Sequence, residues 1–134
     1  MDGPFRLVTE LTGYDADGAE AVWYPTGVEF GVPDEVPRPP EVPGTLVLEA
    51  MTQCAGLFLQ RTHDSPGTHW MLTGVDNADV DRIGWDVPLT LDCTVHKRST
   101  RAAVLIVSAA TDQGEVSHAT ILMHRVAQER RDLP

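Results

Sequence analysis

One acidic residue, Glu49, lies inside a stretch of the chain that is otherwise largely apolar. Residues 41–56 read EVPGTLVLEAMTQCAG, in which a proline-glycine pair is followed by leucine, valine, alanine and methionine. A carboxylate in such surroundings is an uncommon choice, because a buried charge is costly unless it is paired or functional. Gln53 follows one helical turn later, so its side chain can meet that of Glu49 on one helix face. These two residues are the first candidates for chemistry.

The helix that must carry them is predicted from Gly44 to about Thr62. Pro43 precedes it, and Thr45 can cap its start. Apolar residues cover most of its circumference, which is typical of a buried helix. Ahead of it, residues 25–43 contain prolines at positions 25, 33, 37, 39, 40 and 43, which exclude a regular helix or a central strand. A loop of this length in a compact domain is usually functional or disordered.

The rest of the chain has the pattern of β-strands. A strand is predicted at Phe5–Leu11 and a second at Glu20–Tyr24, with turn residues at 13–18 between them. After the helix, alternation of apolar and polar residues predicts strands at Trp70–Val80 (with a bulge at Gly74), Val87–Arg98, Ala102–Thr111 and Val116–Val126. The third of these is the most continuously apolar, which predicts a central strand. A charged tail covers about 127–134.

One long helix with an antiparallel sheet defines an α+β fold, here a single domain over residues 1–134. The apolar faces of such a helix are buried if the sheet curls around it. The remaining helix face and an open sheet edge would then favour a dimer.

Composition excludes several functional classes. The net charge of −10 argues against generic nucleic-acid binding. Cys54 and Cys93 lie in apolar patterns, so we expect buried free thiols, and Cys54 has no basic neighbour in sequence that would make it a nucleophile. We recognise no signal peptide, membrane span, zinc spacing or nucleotide-binding loop, so we expect a cytoplasmic protein without a metal.

The proline-glycine pair and the helix together resemble a known family. The overall pattern is similar to the hotdog fold, in which a curved antiparallel sheet wraps a long helix. It resembles in particular the 3-hydroxyacyl-[acyl-carrier-protein] dehydratases of fatty-acid and polyketide synthesis. Their signature is His-Phe-Pro-Gly, a spacer, Pro-Gly, and a helix segment acid-Ala-(Met/Leu)-x-Gln. Pro43-Gly44 and the segment EAMTQCAG at 49–56 match it, and the similarity extends over about residues 31–126.

The family's catalytic histidine is absent from its expected place. At the family's spacing it falls on Glu35, within Glu35-Val36-Pro37-Arg38, and all five histidines of the chain come after the helix. In this family the histidine of one subunit works with the acid of its dimer partner. A chain with the acid alone can therefore complete a site with a sister subunit that supplies the histidine.

The resemblance implies a role for each residue of the helix start. Dehydration needs a base for the α-proton, an acid for the leaving hydroxyl and N–H donors for the developing enolate oxygen. Glu49 would handle the β-hydroxyl, and Gln53 would orient Glu49. Gly44 and Thr45 would supply the N–H donors at the positive end of the helix dipole. No cofactor is implied apart from the phosphopantetheine of the carrier protein that holds the substrate.

The sequence leaves three hypotheses for the function of the chain. In the first, the chain is a dehydratase subunit without histidine that pairs with a histidine-bearing hotdog subunit. In the second, it is a homodimeric acyl-thioester isomerase, slow dehydratase or thioesterase in which Glu35 acts opposite Glu49. In the third, it binds an acyl carrier without catalysis. An acyl carrier protein, which is acidic, could dock on the basic turn formed by Lys97, Arg98 and Arg101. No nucleic-acid or membrane partner is expected.

Overall fold

The structure, a computed structural model, describes residues 6–26, 39–63 and 65–127, which form one long helix and a six-stranded antiparallel sheet. The helix α1 spans Gly44–Thr62. The strands are β1 Gly13–Tyr14, β2 Gly18–Trp23, β3 Thr68–Val80, β4 Leu89–Arg98, β5 Ala102–Thr111 and β6 Gly114–Ala127. Their order in the sheet is β1-β2-β4-β5-β6-β3, so β3 and β1 form the two edges.

The sheet curls around α1, which contacts every strand from β2 to β6. Because side chains alternate between the two faces of a strand, residues such as Leu91, Leu105 and Ile121 all point to the helix side, where they are fully buried. Met51 and Phe58 of the helix are buried against them. A helix wrapped by one curved antiparallel sheet is the hotdog arrangement, which confirms the expected fold class. Within the described ranges, no helix is both long enough and apolar enough to cross a membrane.

Several predicted elements are confirmed closely. The helix begins and ends at the predicted residues. The continuously apolar strand, β5, lies in the middle of the sheet between β4 and β6. The register between β3 and β6 shifts between Leu72 and Gly74, which confirms the bulge at Gly74. The predicted tail beyond Ala127 lies outside the described residues.

The predicted strand at Phe5–Leu11 is wrong over its described part, residues 6–11, which lie outside the sheet. The short strand β1 lies instead within the segment that was predicted as a turn. Leu7 and Val8 pack into the core beside the helix, and this packing explains the apolar pattern that predicted a strand. Their backbone N–H groups donate to the side chain of Gln53 and not to a neighbouring strand.

The predicted cap of the helix by Thr45 is also wrong. Pro43 occupies the position before the first helical residue, and no side chain caps the helix there. The carbonyl of Pro43 accepts the first hydrogen bonds, from the N–H groups of Leu46 at 3.0 Å and Val47 at 3.3 Å. Thr45 therefore lies inside the first turn, where its side chain is exposed.

The hairpin that begins β2 depends on a glycine. A Cβ atom at Gly18 would lie 2.5 Å from the backbone carbonyl oxygen of Cys93, which cannot move away cheaply. We expect Gly18→Ala to lower the free energy of unfolding by about 1–3 kcal/mol, the usual cost of overpacking. Urea unfolding of both proteins measures this. Gly13→Ala is the matched control, since nothing lies within 4 Å of its Cβ position; an equal loss in the two variants would contradict the steric explanation.

Candidate active site

Glu49 and Gln53 lie on a polar stripe of α1 that faces away from the sheet. The amide Nε2 of Gln53 donates to Oε1 of Glu49 at 3.2 Å. The carboxylate of Glu49 is exposed in the single chain, because the sheet covers only the other faces of the helix. We call this surface the open stripe; its residues, all exposed or half-buried, are Thr45, Glu49, Thr52, Gln53, Gly56 and Gln60.

The oxygen of the same Gln53 amide faces the N-terminal segment. Its Oε1 accepts hydrogen bonds from the backbone N–H groups of Leu7 at 2.7 Å and Val8 at 3.0 Å. The Gln53 side chain thus joins the N-terminal segment to the acid of the helix. Sequence reasoning missed this contact, because backbone donors are present at every non-proline residue and leave no signature in the residue types.

The start of α1 offers backbone donors close to the acid. Since the helical hydrogen bonds begin at Leu46 and Val47, the N–H groups of Gly44 and Thr45 precede them. Both residues are exposed. Glu49 lies four residues beyond Thr45, about 6 Å along the helix axis. The structure therefore places the predicted donors and the predicted acid at the same end of the helix.

The loop that would carry Glu35 is attached at both of its ends. Glu35 itself lies in residues 27–38, outside the described residues, so its role stays a prediction. On one side, the N–H of Asp86 donates to the carbonyl of Pro25 at 2.8 Å. On the other, the indole N–H of Trp85 donates to the carbonyl of Pro39 at 2.7 Å. The connector 83–86 therefore holds both flanks of the loop.

The five histidines all lie in the described part of the chain, and none lies beside Glu49. His63 follows the last turn of α1, fourteen residues after Glu49, which is about 21 Å along the helix axis. The exposed His118 and His124 alternate with residues of β6 that are buried towards the helix, so both point to the outer face of the sheet. His69 and His96 are exposed on β3 and β4. None of the five histidines of this chain therefore lies beside Glu49, in keeping with the prediction that the chain lacks the family's histidine.

The basic turn lies at the other end of the molecule from Glu49. Arg98 is engaged within the chain: its Nη1 donates to the carbonyl of Ala16 at 2.8 Å and approaches His63 Nε2 at 2.6 Å. Lys97 and Arg101 are exposed. Because His63 marks the end of α1 and Glu49 lies near its start, one chain does not bring its basic turn and its acid together.

A cluster of two arginines holds the end of the helix. The Arg125 guanidinium lies over the ring of Trp70, 4.7 Å from its centroid, and donates to the carbonyl of His63. The Trp70 indole donates to the same carbonyl at 3.2 Å. Partial burial, and then the charges of Arg98 and Arg125, lower the pKa of His63 below its ordinary value of 6.5. A neutral imidazole also suits the contact with Arg98, because its Nε2 can accept a hydrogen bond only when unprotonated.

The lowered pKa of His63 predicts a loss of stability in mild acid. Above pH 6.5 the imidazole is neutral in both the folded and unfolded chains and contributes no pH dependence. As the pH falls below 6.5, the unfolded chain takes up this proton first, so the free energy of unfolding decreases until the folded-state pKa is passed. Urea unfolding at several pH values should show this slope, reduced in His63→Gln. An identical slope in that variant would rule out His63 as its source.

Both cysteines are buried and free, as predicted. Burial, with a smaller effect of Asp92, raises the pKa of Cys54 to about 12. Burial also raises the pKa of Cys93. Neither thiol therefore forms a nucleophilic thiolate near neutral pH. Among residues 6–26, 39–63 and 65–127, no group of three His, Cys, Asp or Glu side chains is placed to hold a metal ion.

Comparison with known sequences gives two similar relatives. The 3-hydroxyacyl-[acyl-carrier-protein] dehydratase FabZ of Aeromonas hydrophila is 31% identical over 120 residues, which cover 84% of this chain and 78% of the relative. The FabZ of Aeromonas salmonicida is also 31% identical over 120 residues, with the same coverage. No protein-family model matches the chain.

Comparison with solved structures gives similar folds at low sequence identity. A thioesterase from Haemophilus influenzae matches with a TM-score of 0.70 and 11% identity, covering 92% of this chain and 82% of that one. S. sahachiroi AziG matches with a TM-score of 0.70 and 16% identity, covering 89% and 91%. A hypothetical thioesterase of Streptococcus pneumoniae, solved with coenzyme A, matches with a TM-score of 0.69 and 14% identity, covering 90% and 88%. These likenesses show the fold alone.

Proposed function

This chain belongs to the hotdog-fold family of the 3-hydroxyacyl-[acyl-carrier-protein] dehydratases, and on that premise we propose that it is the subunit without histidine of a paired dehydratase. It supplies Glu49 to a site that a second chain completes. The observation that carries the proposal is the Glu49–Gln53 pair, which lies on an exposed helix stripe with no histidine of its own chain beside it. The substrate is a 3-hydroxyacyl thioester on the phosphopantetheine arm of a carrier protein, and no other cofactor takes part.

In the proposed reaction, each group at the helix start has one task. The histidine of the sister subunit removes the α-proton, and the electron pair of that C–H bond becomes the new double bond. The C–O bond to the β-hydroxyl breaks, and Glu49 gives that oxygen a proton, so that water leaves. Gly44 and Thr45 donate backbone hydrogen bonds to the thioester oxygen while negative charge develops on it. Gln53 holds Glu49 in place.

The exposed edge of the sheet supports a second chain as partner. The thirteen-residue strand β3 pairs with β6 on one side. Leu72 and Val75, 42% and 37% exposed, lie opposite residues of β6 that are buried towards the helix, so they share the helix side of the sheet. Antiparallel pairing of two such edges would bury these side chains. It would also turn the open stripe, and with it Glu49, towards the partner.

The same pairing would bring a basic turn to the acid's end of the dimer. β3 begins near the end of α1 and finishes at Val80, which lies against Gly44 at its start. A two-fold axis across β3 therefore places the basic turn of one chain on the same side as the helix start of the other. Lys97 and Arg101 would attract an acidic carrier protein there, and we expect carrier binding to weaken as salt concentration rises.

A homodimeric enzyme is the second candidate, and the attached loop favours it. The described residues on both sides of this loop, Pro25 and Pro39, are bound to the connector 83–86, and Ile83 of that connector pairs with Val42 just before α1. Glu35 could then act as a base opposite Glu49. That pair of carboxylates suits an acyl-thioester isomerase or a thioesterase better than a fast dehydratase.

Mixing the chain with a histidine-bearing sister subunit tests the proposal. The sister is a hotdog chain of the same organism that retains the His-Phe-Pro-Gly motif, and dehydration of a 3-hydroxybutyryl carrier protein is followed for each chain alone and for the mixture. Turnover by the mixture only, lost when the chain carries Glu49→Gln, is the expected result. Turnover by the chain alone that Glu35→Gln abolishes would favour the homodimer. Carrier binding without turnover in any mixture would overturn both enzymatic readings in favour of a binding protein.

A further inference from the structure

We propose that the N-terminal segment, residues 6–11, is a positioning element for Glu49. Through the backbone N–H groups of Leu7 and Val8 it holds the Gln53 amide in one orientation, and that orientation presents an N–H group to the acid. The consequence for turnover rests on the proposed function of Glu49.

The two donors decide which way the Gln53 amide points. An amide has one oxygen, which only accepts, and one NH₂ group, which only donates. Two N–H groups converge on one end of the Gln53 amide, at 2.7 and 3.0 Å, so that end must be the oxygen. The NH₂ group is then directed at Oε1 of Glu49, 3.2 Å away. The reversed amide would set donors against donors at Leu7 and Val8 and acceptor against carboxylate at Glu49.

The segment can hold this orientation because its own position is constrained. Leu7 and Val8 are 8% and 3% exposed and belong to the same core cluster as the helix. Immediately after the segment, the N–H of Thr12 donates to the carbonyl of Glu20 at 2.7 Å, which anchors its far end to β2. Moving the two donors away from Gln53 would therefore require both apolar side chains to leave the core.

The fixed amide also selects the oxygen of Glu49 that can donate. Oε1 accepts a hydrogen bond from Gln53, so in the neutral acid the proton is favoured on Oε2. That oxygen is then the one that meets the leaving hydroxyl. A side chain free to rotate would spend part of its time with the proton directed elsewhere, and misplacement of a reacting group by about 1 Å can cost about a hundredfold in rate.

Hydrogen exchange and the side-chain amide signal test the contact without any substrate. In the full-length protein, the amide protons of Leu7 and Val8 should exchange slowly although they lie outside the sheet. Gln53→Met should make both exchange fast, whereas Gln53→Glu, which keeps an acceptor for them, should leave them protected. The ¹⁵N-detected NH₂ signal of Gln53 should shift in Glu49→Gln. Rapid exchange of Leu7 and Val8 in the unsubstituted protein, or no shift of that signal, would overturn the proposal.

Turnover by the paired dehydratase tests the effect on the acid. Val8→Pro removes one donor, and Val8→Ala is its control, since it shortens the buried side chain but keeps the N–H group. We expect Val8→Pro to lower kcat about ten- to a hundredfold with little change in KM, and Val8→Ala to lower it far less. Gln53→Glu should lower kcat as much as Gln53→Met, because neither offers an N–H group to Glu49. The double variant Val8→Pro/Gln53→Met should have a kcat only slightly lower than that of either single variant, because both substitutions break the same contact.

The two sets of measurements separate this proposal from the proposed function. Protected Leu7 and Val8 amides in a protein pair that has no dehydratase activity would mean that the positioning contact exists and that the dehydratase assignment fails. An active pair in which Val8→Pro and Val8→Ala are equally active, or in which Gln53→Glu retains full kcat, would leave the dehydratase assignment intact and overturn the positioning role. If Val8→Pro does not fold, Gln53→Glu and the exchange measurements still decide the question.

Discussion

Replacing Glu49 by glutamine should lower turnover of a 3-hydroxyacyl thioester by about two to four orders of magnitude, the range that a general acid or base contributes. Glutamine has nearly the same size, and its oxygen can still accept from the Gln53 amide, so the fold and the local contact should persist. It has no acidic proton to give to the leaving hydroxyl. The measurement is the steady-state rate of the chain in its active assembly, and we expect the loss in kcat with KM almost unchanged.

Glu20→Gln is the matched control for this substitution. Glu20 is an exposed glutamate of β2 that alternates with the buried Ala19 and Ala21, so it points to the outer face of the sheet. The Glu20→Gln substitution removes the same single charge from the chain but leaves the open stripe unchanged. We expect its activity to equal that of the unsubstituted protein. If Glu49→Gln retained activity within about threefold of this control, Glu49 would not be the acid of the reaction.

The second large effect should follow from a charge on the open edge of the sheet. Val75→Asp places a carboxylate on β3 among apolar side chains that a second chain would bury. Leaving a buried charge without a partner costs about 3–5 kcal/mol, which at 1.4 kcal/mol per factor of ten weakens association by about two to four orders of magnitude. If the proposed function holds, analytical ultracentrifugation should show weaker association of the chains, and turnover should fall with it, since a single chain would then lack part of the site.

Ile106→Asp provides the control for this effect. Ile106 is 46% exposed, slightly more than Val75, but it lies on the outer face of the central strand β5, away from the open edge. The same change of residue type there should leave association unchanged. A Val75→Asp protein that still forms the dimer, or an Ile106→Asp protein that dissociates equally, would show that β3 is not the contact between chains.

The sequence by itself determined the helix, the central strand and the α+β class, whereas the hotdog arrangement was expected from the family resemblance. Each of these depends on local periodicity: apolar residues on most sides of a 19-residue helix, and a run of alternating or continuous apolar residues in the strands. The pair Pro43-Gly44 marks the helix start without any tertiary information. The spacing of Glu49 and Gln53 likewise placed the two side chains within reach, because a helix turn brings residues four apart together.

The N-terminal segment shows what the periodic pattern could not determine. Its apolar residues predicted a strand, since alternation cannot distinguish a strand in a sheet from a segment that packs on a helix. The hydrogen bonds that decide between the two join Leu7 and Val8 to Gln53, 46 and 45 residues away. Whether a backbone donor finds a side chain or a neighbouring strand depends on which segments the folded chain brings together.

The tertiary structure alone also decided the setting of the charged residues. Arg98 was predicted for carrier docking, but in the folded chain it binds Ala16 and His63, which are distant in sequence. Glu49 was expected among apolar neighbours and proved exposed, because the curled sheet leaves the open stripe of α1 uncovered. Local sequence determines which residues share a helix face; the curvature and edges of the sheet determine whether that face meets the core, the solvent or a second chain.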